Sequence, residues 1–298
     1  MLVRRQDAVE LNRQEYGAVA GVSEERLRRV VESLSYPRHY EYNRRANVKA
    51  RDWLLTELQN LGLRVSVQGE YDNVVGEWGD HEVPSVLLGA HYDTVPTTPG
   101  ADDNTSAIAV CLEAAKVLVG CSDVNFRVVI FNCEEDGLLG SLDYVENMTV
   151  EERVKIKEAH IFEMVGYFTS EPDSQGKPEG MPVSLPNQGN FLGLVSNSKS
   201  NRISKKLRNI AKSLGLKTPV VSLETLFGIE KVFTDLLRSD HTPFWQAGIP
   251  AIMWTDTSEF RNPHYHAPTD KPETLNYSSM ADVTRLAVQR VLDLQSEK

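Results

Sequence analysis

The chain is poor in cysteine: its 298 residues include three, Cys111, Cys121 and Cys133. An odd count with no C-x-x-C pair excludes a disulfide framework and a paired-thiol motif. Two of the three sit in apolar runs and read as small buried hydrophobes. Long apolar runs are missing too. Nothing approaches the ~20 residues of a membrane helix, and the opening MLVRRQDAVELNRQEY has basic residues but no signal-peptide core of roughly 7–15 apolar residues. The expectation is a cytoplasmic protein without a membrane partner. Basic charge is in deficit, 32 Lys and Arg against 42 Asp and Glu for a net charge of -10. A phosphate-tracking surface needs the opposite balance, which sets nucleic acid aside. Acidity favours a cationic ligand such as a peptide's free ammonium only weakly, because salt screens the field beyond ~8 Å. There is no internal repeat.

What is present is ordinary globular composition, 41% hydrophobic and 25% charged, enough for a full core. The length suits one large α/β unit over residues 1–298, with helices at about 23–61 packing on it. Ser23 before Glu24, Glu25 and the apolar series Leu27, Val30, Val31, Leu34 predicts a helix stopped by Pro37; a second runs from about Asn43 to the Leu61-Gly62 stop. Strands are predicted at Arg64–Gln68, Asn73–Trp78, Ser85–Gly89, Phe126–Asn132, Ile161–Val165, Phe191–Val195 and Pro250–Thr255. Helices are predicted at Ser106–Val119, Leu138–Tyr144, Lys199–Leu214 and Ser279–Leu294. The one long irregular stretch, Phe168–Asn190, carries four prolines, and loops of that length in compact domains are usually functional or mobile.

Ligands collect at the carboxyl ends of strands in open α/β sheets. There this sequence places His91-Tyr92-Asp93, Glu134-Glu135-Asp136, Glu163 and, after a short loop, His266; Asp102-Asp103 close the loop that leads from His91 into a helix. Imidazoles mixed with carboxylates and no thiolate suit Zn²⁺ or a related divalent metal, and two ions about 3.5–4 Å apart can share a carboxylate. Each piece also has an ordinary reading. His91 alone reads as a structural histidine, although Asp93 two residues on could hold its second nitrogen. Asp102-Asp103-Asn104 reads as a helix cap, a ligand or both. Glu134-Glu135 would repel each other unless a cation lay nearby. His266 is either one of two same-face histidines with His264 on an extended segment or a plain loop residue.

Taken together, Gly89–Thr94, Pro99–Asn104, Asn132–Gly137, Glu163–Gly166, Ser239-Asp240-His241 and Asn262–His266 resemble, in order, the co-catalytic zinc exopeptidase family of the bacterial leucyl aminopeptidases. Glutamate carboxypeptidase, the glutaminyl cyclases and the transferrin receptor are its relatives. The resemblance spans about residues 45–295 and implies a three-layer α/β sandwich with a central mixed, mostly parallel sheet flanked by helices. It implies two zinc ions: Asp103 bridging, His91 and Glu163 completing one site, Glu135 and His266 the other. Glu134 becomes the general base, Tyr265 a phenolic hydrogen-bond donor to the tetrahedral intermediate, and Asp93 the group that orients His91. Asp240 and Ser239 become supporting partners, while His241 caps or packs a helix. The bridging acid of the family precedes Asn or Asp, often through a cis peptide. One departure stands out, because the family usually has Asp where this chain has Glu163. The implied activity is hydrolysis of N-terminal residues from peptides with a free N-terminus; with no obvious dimerisation insert between Glu163 and His266, a monomer is expected. Phe168, Met181 and Leu185 of the long loop are candidates to line a pocket for the first side chain. A mono-zinc glutaminyl cyclase and a non-catalytic peptidase-like binding domain are the alternatives.

Overall fold

The computed structural model describes residues 1–5, 17–80 and 82–297. Among them, nine strands form one mixed sheet: β1 (Leu2–Arg5), β2 (Arg64–Gln68), β3 (Asn73–Trp78), β4 (Ser85–His91), β5 (Phe126–Phe131), β6 (Ile156–Glu163), β7 (Leu192–Ser196), β8 (Val220–Glu224) and β9 (Ala251–Thr255). Their spatial order is β1-β8-β7-β9-β6-β4-β5-β3-β2. The central run β9-β6-β4-β5 is parallel, as is β7-β8, and the remaining ladders are antiparallel.

Strand side chains alternate between faces, and here both faces are apolar. Val86, Leu88 and Ala90 of β4 join one core cluster, while Leu87 joins the other; in β5, Val128 and Ile130 oppose Val129 and Phe131 in the same way. Burial on both sides explains why these strands read as continuous hydrophobic runs. The first cluster is covered by α1 (Glu24–Leu34), α2 (Arg44–Asn60), α3 (Ala107–Leu118), α6 (Asn201–Ser213) and α8 (Tyr277–Ser296). The second lies under α4 (Leu139–Glu146), α7 (His241–Gln246) and part of the long loop. The result is three layers. In α1 the Ser23 hydroxyl accepts from the Arg26 N–H, and Leu27, Val31 and Leu34 form its buried stripe.

Three differences from the sequence reading have physical causes. Strand β6 begins at Ile156 rather than Ile161; its first five residues include Lys157, Glu158 and His160, and Glu158 is tolerated inside because Arg290 donates to its carboxylate at 2.6 and 2.9 Å. Helix α5 (Val150–Lys155) went unread because Val150 and Val154 are exposed, so it has no inward stripe, only a Thr149/Glu152 capping box. Strand β1 is mostly exposed and half arginine, and β8 carries buried Ser222 and Glu224, so neither shows an apolar run; β1 pairs antiparallel with β8, which itself runs parallel to β7. No regular element interrupts residues 164–191, as expected of the long loop.

Candidate metal centre and active site

Because β4, β5, β6 and β9 run parallel, their carboxyl ends share one edge. His91 ends β4, Glu134 and Glu135 follow β5, Glu163 ends β6, and His266 lies eleven residues beyond Thr255 at the end of β9. The buried His91 Nε2 stands 3.3 Å from Asp103 Oδ1, 3.6 Å from Glu163 Oε2 and 3.9 Å from Glu134 Oε2. His266 Nε2 stands 3.1 Å from Asp103 Oδ2 and 3.2 Å from Glu135 Oε2. Asp103 thus turns one oxygen to each of two triads, and the candidate ligand atoms of each triad lie within 4.8 Å of one another.

Electrostatics follow from this crowding. Burial opposes charging His91, but Glu134, Glu163, Asp103 and Asp93 together push its pKa well above the usual histidine range. Burial would raise Asp103, yet His266 and His91 hold it well below the usual carboxylate range. Burial and the Asp103 charge push Glu135 up to about 7, against the pull of His266. Glu134 is pushed well above the usual range by burial, with His91 opposing and Glu163, Asp240 and Glu135 adding.

These residues fit a bound divalent metal. Both His91 ring nitrogens and Glu135 Oε1 are buried and make no hydrogen bond of good geometry to the described residues, although carboxylates stand close by. Buried polar atoms that converge without pairing are expected of ligand atoms, and the nitrogen and oxygen donor set suits zinc.

The surrounding residues fall into place with some corrections. Asp93 Oδ1 is 3.3 Å from His91 Nδ1, and its two oxygens accept the backbone N–H groups of Glu134 and Glu135, both at 3.1 Å, so it also braces the acidic loop. Asp240 is buried beside the site, where burial raises its pKa to about 7 and the His91 charge works against that rise. Its oxygens make no hydrogen bond of good geometry to the described residues. His241 opens α7, its Nε2 pairs with the Leu236 carbonyl at 2.9 Å, and its ring meets Trp245 edge-on, a packing role.

The Asp103–Asn104 peptide is cis, but the helix-cap reading of this stretch fails. Neither Asp102 nor Asp103 caps α3, whose N-cap residue is Ser106 with no side-chain cap bond. Asp102 instead accepts from Gly166 N–H at 2.9 Å and Asn262 Nδ2 at 2.6 Å. The His264–His266 segment is a turn, not extended. His264 pairs with Thr269 and Tyr167, and of the two histidines only His266 joins the acids. Tyr265 stacks on the His266 ring, centroids 3.8 Å apart, and its hydroxyl accepts from Arg238 Nη2 at 3.1 Å.

Three residues support the site in ways the sequence did not show, because their partners are remote in the chain. Asn104 donates to the Phe162 carbonyl and accepts from the Met164 N–H, spanning Glu163. Asp270 accepts the N–H groups of Asp102 and Asp103. Arg238 fixes Tyr265. Asp103, Glu134, Glu135, Glu163 and His266 share a cavity of about 470 Å³ with apolar side chains that include Met181, Leu185 and Phe191. Phe168, expected in that lining, packs instead against the first core cluster and under the Arg261 guanidinium.

Residues 73–291 match Peptidase family M28, and the chain belongs to that family. A relative in Escherichia coli, the uncharacterized protein YfbL, is 33% identical over 258 residues, covering 79% of this chain and 76% of its own length. Among solved structures, the LapA aminopeptidase of Legionella pneumophila superposes with a TM-score of 0.75 at 22% identity, over 98% of this chain and 78% of that one; this is a likeness of fold. BSAP, a zinc aminopeptidase from Bacillus subtilis, is 30% identical with a TM-score of 0.56; the match covers 74% of this chain and about half, 49%, of that one.

Proposed function

We propose that this protein is a zinc-dependent aminopeptidase that removes N-terminal residues from peptides using two metal ions. The observation that carries the reading is the pair of triads joined at Asp103, beside Glu134, in the wall of a largely apolar cavity. Membership of a peptidase family supports hydrolysis, and the zinc aminopeptidase from Bacillus subtilis supports both the metal and the exopeptidase activity.

His91, Asp103 and Glu163 would hold one ion, and Asp103, Glu135 and His266 the other. Zinc supplies Lewis acidity there, polarising a carbonyl oxygen and bringing the pKa of water from 15.7 toward ~7. Glu134 takes a proton from water on its carboxylate and returns it to the leaving amine, a role generally contributing about 10²–10⁴-fold. Tyr265 donates its phenolic hydrogen to the developing oxyanion. Asp93 keeps His91 in one ring orientation. The apolar cavity receives the first side chain and excludes water around it.

The test is metal content per chain by elemental analysis, paired with hydrolysis of aminoacyl-nitroanilides before chelation, after it and after zinc return. About two metals with chelator-sensitive, zinc-restored hydrolysis is the expected result. One metal with no hydrolysis and with cyclisation of an N-terminal glutamine peptide would replace this reading with a glutaminyl cyclase.

A further inference from the structure

Arg38 is fully buried, and it belongs to neither triad. Its side-chain hydrogen bonds go to uncharged oxygens. Nε donates to the Tyr92 carbonyl at 2.6 Å, between His91 and Asp93. Nη1 donates to the Pro99 carbonyl at 2.9 Å and to the Leu34 carbonyl at the end of α1 at 2.7 Å. Nη2 donates to Thr105 Oγ1 at 2.8 Å and to the Gly100 carbonyl at 3.3 Å. The Arg38 backbone N–H adds a bond to Thr94 Oγ1 at 3.0 Å, and its carbonyl accepts from Asn47 Nδ2 at 2.9 Å. Asn47 in turn exchanges two amide bonds with Asn132, two residues before Glu134.

One guanidinium therefore grips both segments that carry His91 and Asp103, and through Asn47 it reaches the segment that carries the paired glutamates. The choice of residue has a reason. A guanidinium presents five N–H donors in a fixed planar fork, whereas an ammonium presents three on one nitrogen and cannot serve all the acceptors that Arg38 bonds from three nitrogens. Burying a cation is costly unless its hydrogens are bonded, and here they are. Its charge also lies near Asp93, Asp270 and Asp103, where it offsets some of the repulsion among acids gathered without a metal. Gly100 leaves room for the grip: at φ +67°, a Cβ would fall 2.5 Å from the Asp103 carbonyl oxygen and 3.1 Å from Arg38 Nη1.

We propose that Arg38 is a positioning residue for the metal centre, holding the His91 and Asp103 segments in ligand geometry before any cation binds. The proposal rests on the reading that these two residues are metal ligands. Its consequence is that Arg38 governs metal affinity although it touches neither metal nor substrate.

The test compares the unaltered chain with Arg38→Lys, Thr105→Val and, as a control, Arg290→Lys. Arg290 is another buried arginine, but its partners are Glu158 and Glu297, away from the site. Zinc affinity is measured by competition with a chromophoric chelator, ligand geometry by the visible absorption of the cobalt-loaded protein, and fold stability by urea denaturation of the metal-free forms. Arg38→Lys should weaken zinc binding roughly 10–100-fold, as loss of partners that orient metal ligands typically does, and should alter the cobalt spectrum. Arg290→Lys should lose stability with zinc affinity retained. Thr105→Val removes the Arg38 bond to Thr105 together with the hydroxyl's own bond to the Gly100 carbonyl and should cost at least about fivefold in affinity, the equivalent of one ordinary hydrogen bond; it decides the matter if Arg38→Lys does not fold. Unchanged affinity and spectrum in the folded Arg38 variant, or in Thr105→Val where that variant alone folds, would overturn the proposal. So would an equal affinity loss in Arg290→Lys. An unaltered chain that binds no zinc would overturn the metal reading itself, and this proposal with it.

Discussion

The Ser239 hydroxyl donates to Glu163 Oε2 at 2.7 Å, and that same oxygen stands 3.6 Å from His91 Nε2. Glu163 is one methylene longer than the aspartate usual in its family, so its carboxylate has an extra torsion to fix. The serine fixes it from a segment 76 residues away.

Ser239→Ala should therefore release the Glu163 carboxylate and weaken the metal site completed by His91 about 10–100-fold, leaving the Glu135 and His266 site near its original affinity. Stepwise zinc titration by calorimetry would show the second equivalent weaken. Two unchanged binding steps would mean that Glu163 is held adequately by other contacts.

Glu134→Gln keeps shape and volume but removes the proton acceptor. Turnover of an aminoacyl-nitroanilide should fall roughly 10²–10⁴-fold, with zinc content per chain unaltered because Glu134 belongs to neither triad. Retained turnover would assign the base elsewhere.

Tyr265 accepts from Arg238, so its own hydroxyl hydrogen is free to point elsewhere. Tyr265→Phe should lower kcat about 10²–10³-fold, the usual cost of losing one oxyanion donor, with little change in KM. Arg238→Met should give a smaller loss of the same kind, because the phenol remains but its direction is no longer fixed. Full activity in both variants would reduce Tyr265 to a stacking partner of His266.

The Glu158–Arg290 pair makes a prediction about acid stability. Burial works against the Glu158 carboxylate, but the bonds from His160 and Arg290 hold its pKa down at about 2. A depressed carboxyl contributes stability in full above its unfolded value of ~4.3 and loses it as pH falls toward the folded value. Urea denaturation of the metal-free protein should thus show stability dropping between about pH 4 and pH 2. Glu158→Gln should cost about 1.5–3 kcal/mol at neutral pH, because Arg290 would lose its buried charged partner and keep only the more exposed Glu297, and should flatten that acid limb. An equally steep limb in the variant would assign the acid transition to other carboxylates.

Residues near one another in the chain wrote much of this molecule legibly. The buried parallel strands β4 and β5 showed as unbroken apolar runs because both faces are covered, and α1 announced itself through Ser23 and its inward stripe. The acids and histidines that follow those strands could be named because a parallel sheet delivers strand ends to a common edge, and the cis Asp103–Asn104 peptide was expected from the resemblance. Where the local pattern lacked an apolar period, reading failed: α5 exposes its valines, β1 is mostly exposed, β8 carries a buried glutamate paired with Arg208, and the start of β6 carries a buried charge whose partner, Arg290, lies 132 residues away.

Sequence alone determined which residue types reach the rim and in what order. The tertiary structure alone decided how each is held: Ser239 on Glu163, Asp270 under the Asp102 and Asp103 N–H groups, Arg38 across two loops, Arg238 on Tyr265. It also sent Asp102 to Gly166 and Asn262, and aimed the His266 ring at Asp103 and Glu135 while His264 went to Thr269 and Tyr167. Hydrogen bonds are short-ranged and directional, so which donors meet which acceptors across such separations depends on packing of the whole sheet and its helices, for which no local periodicity stands proxy.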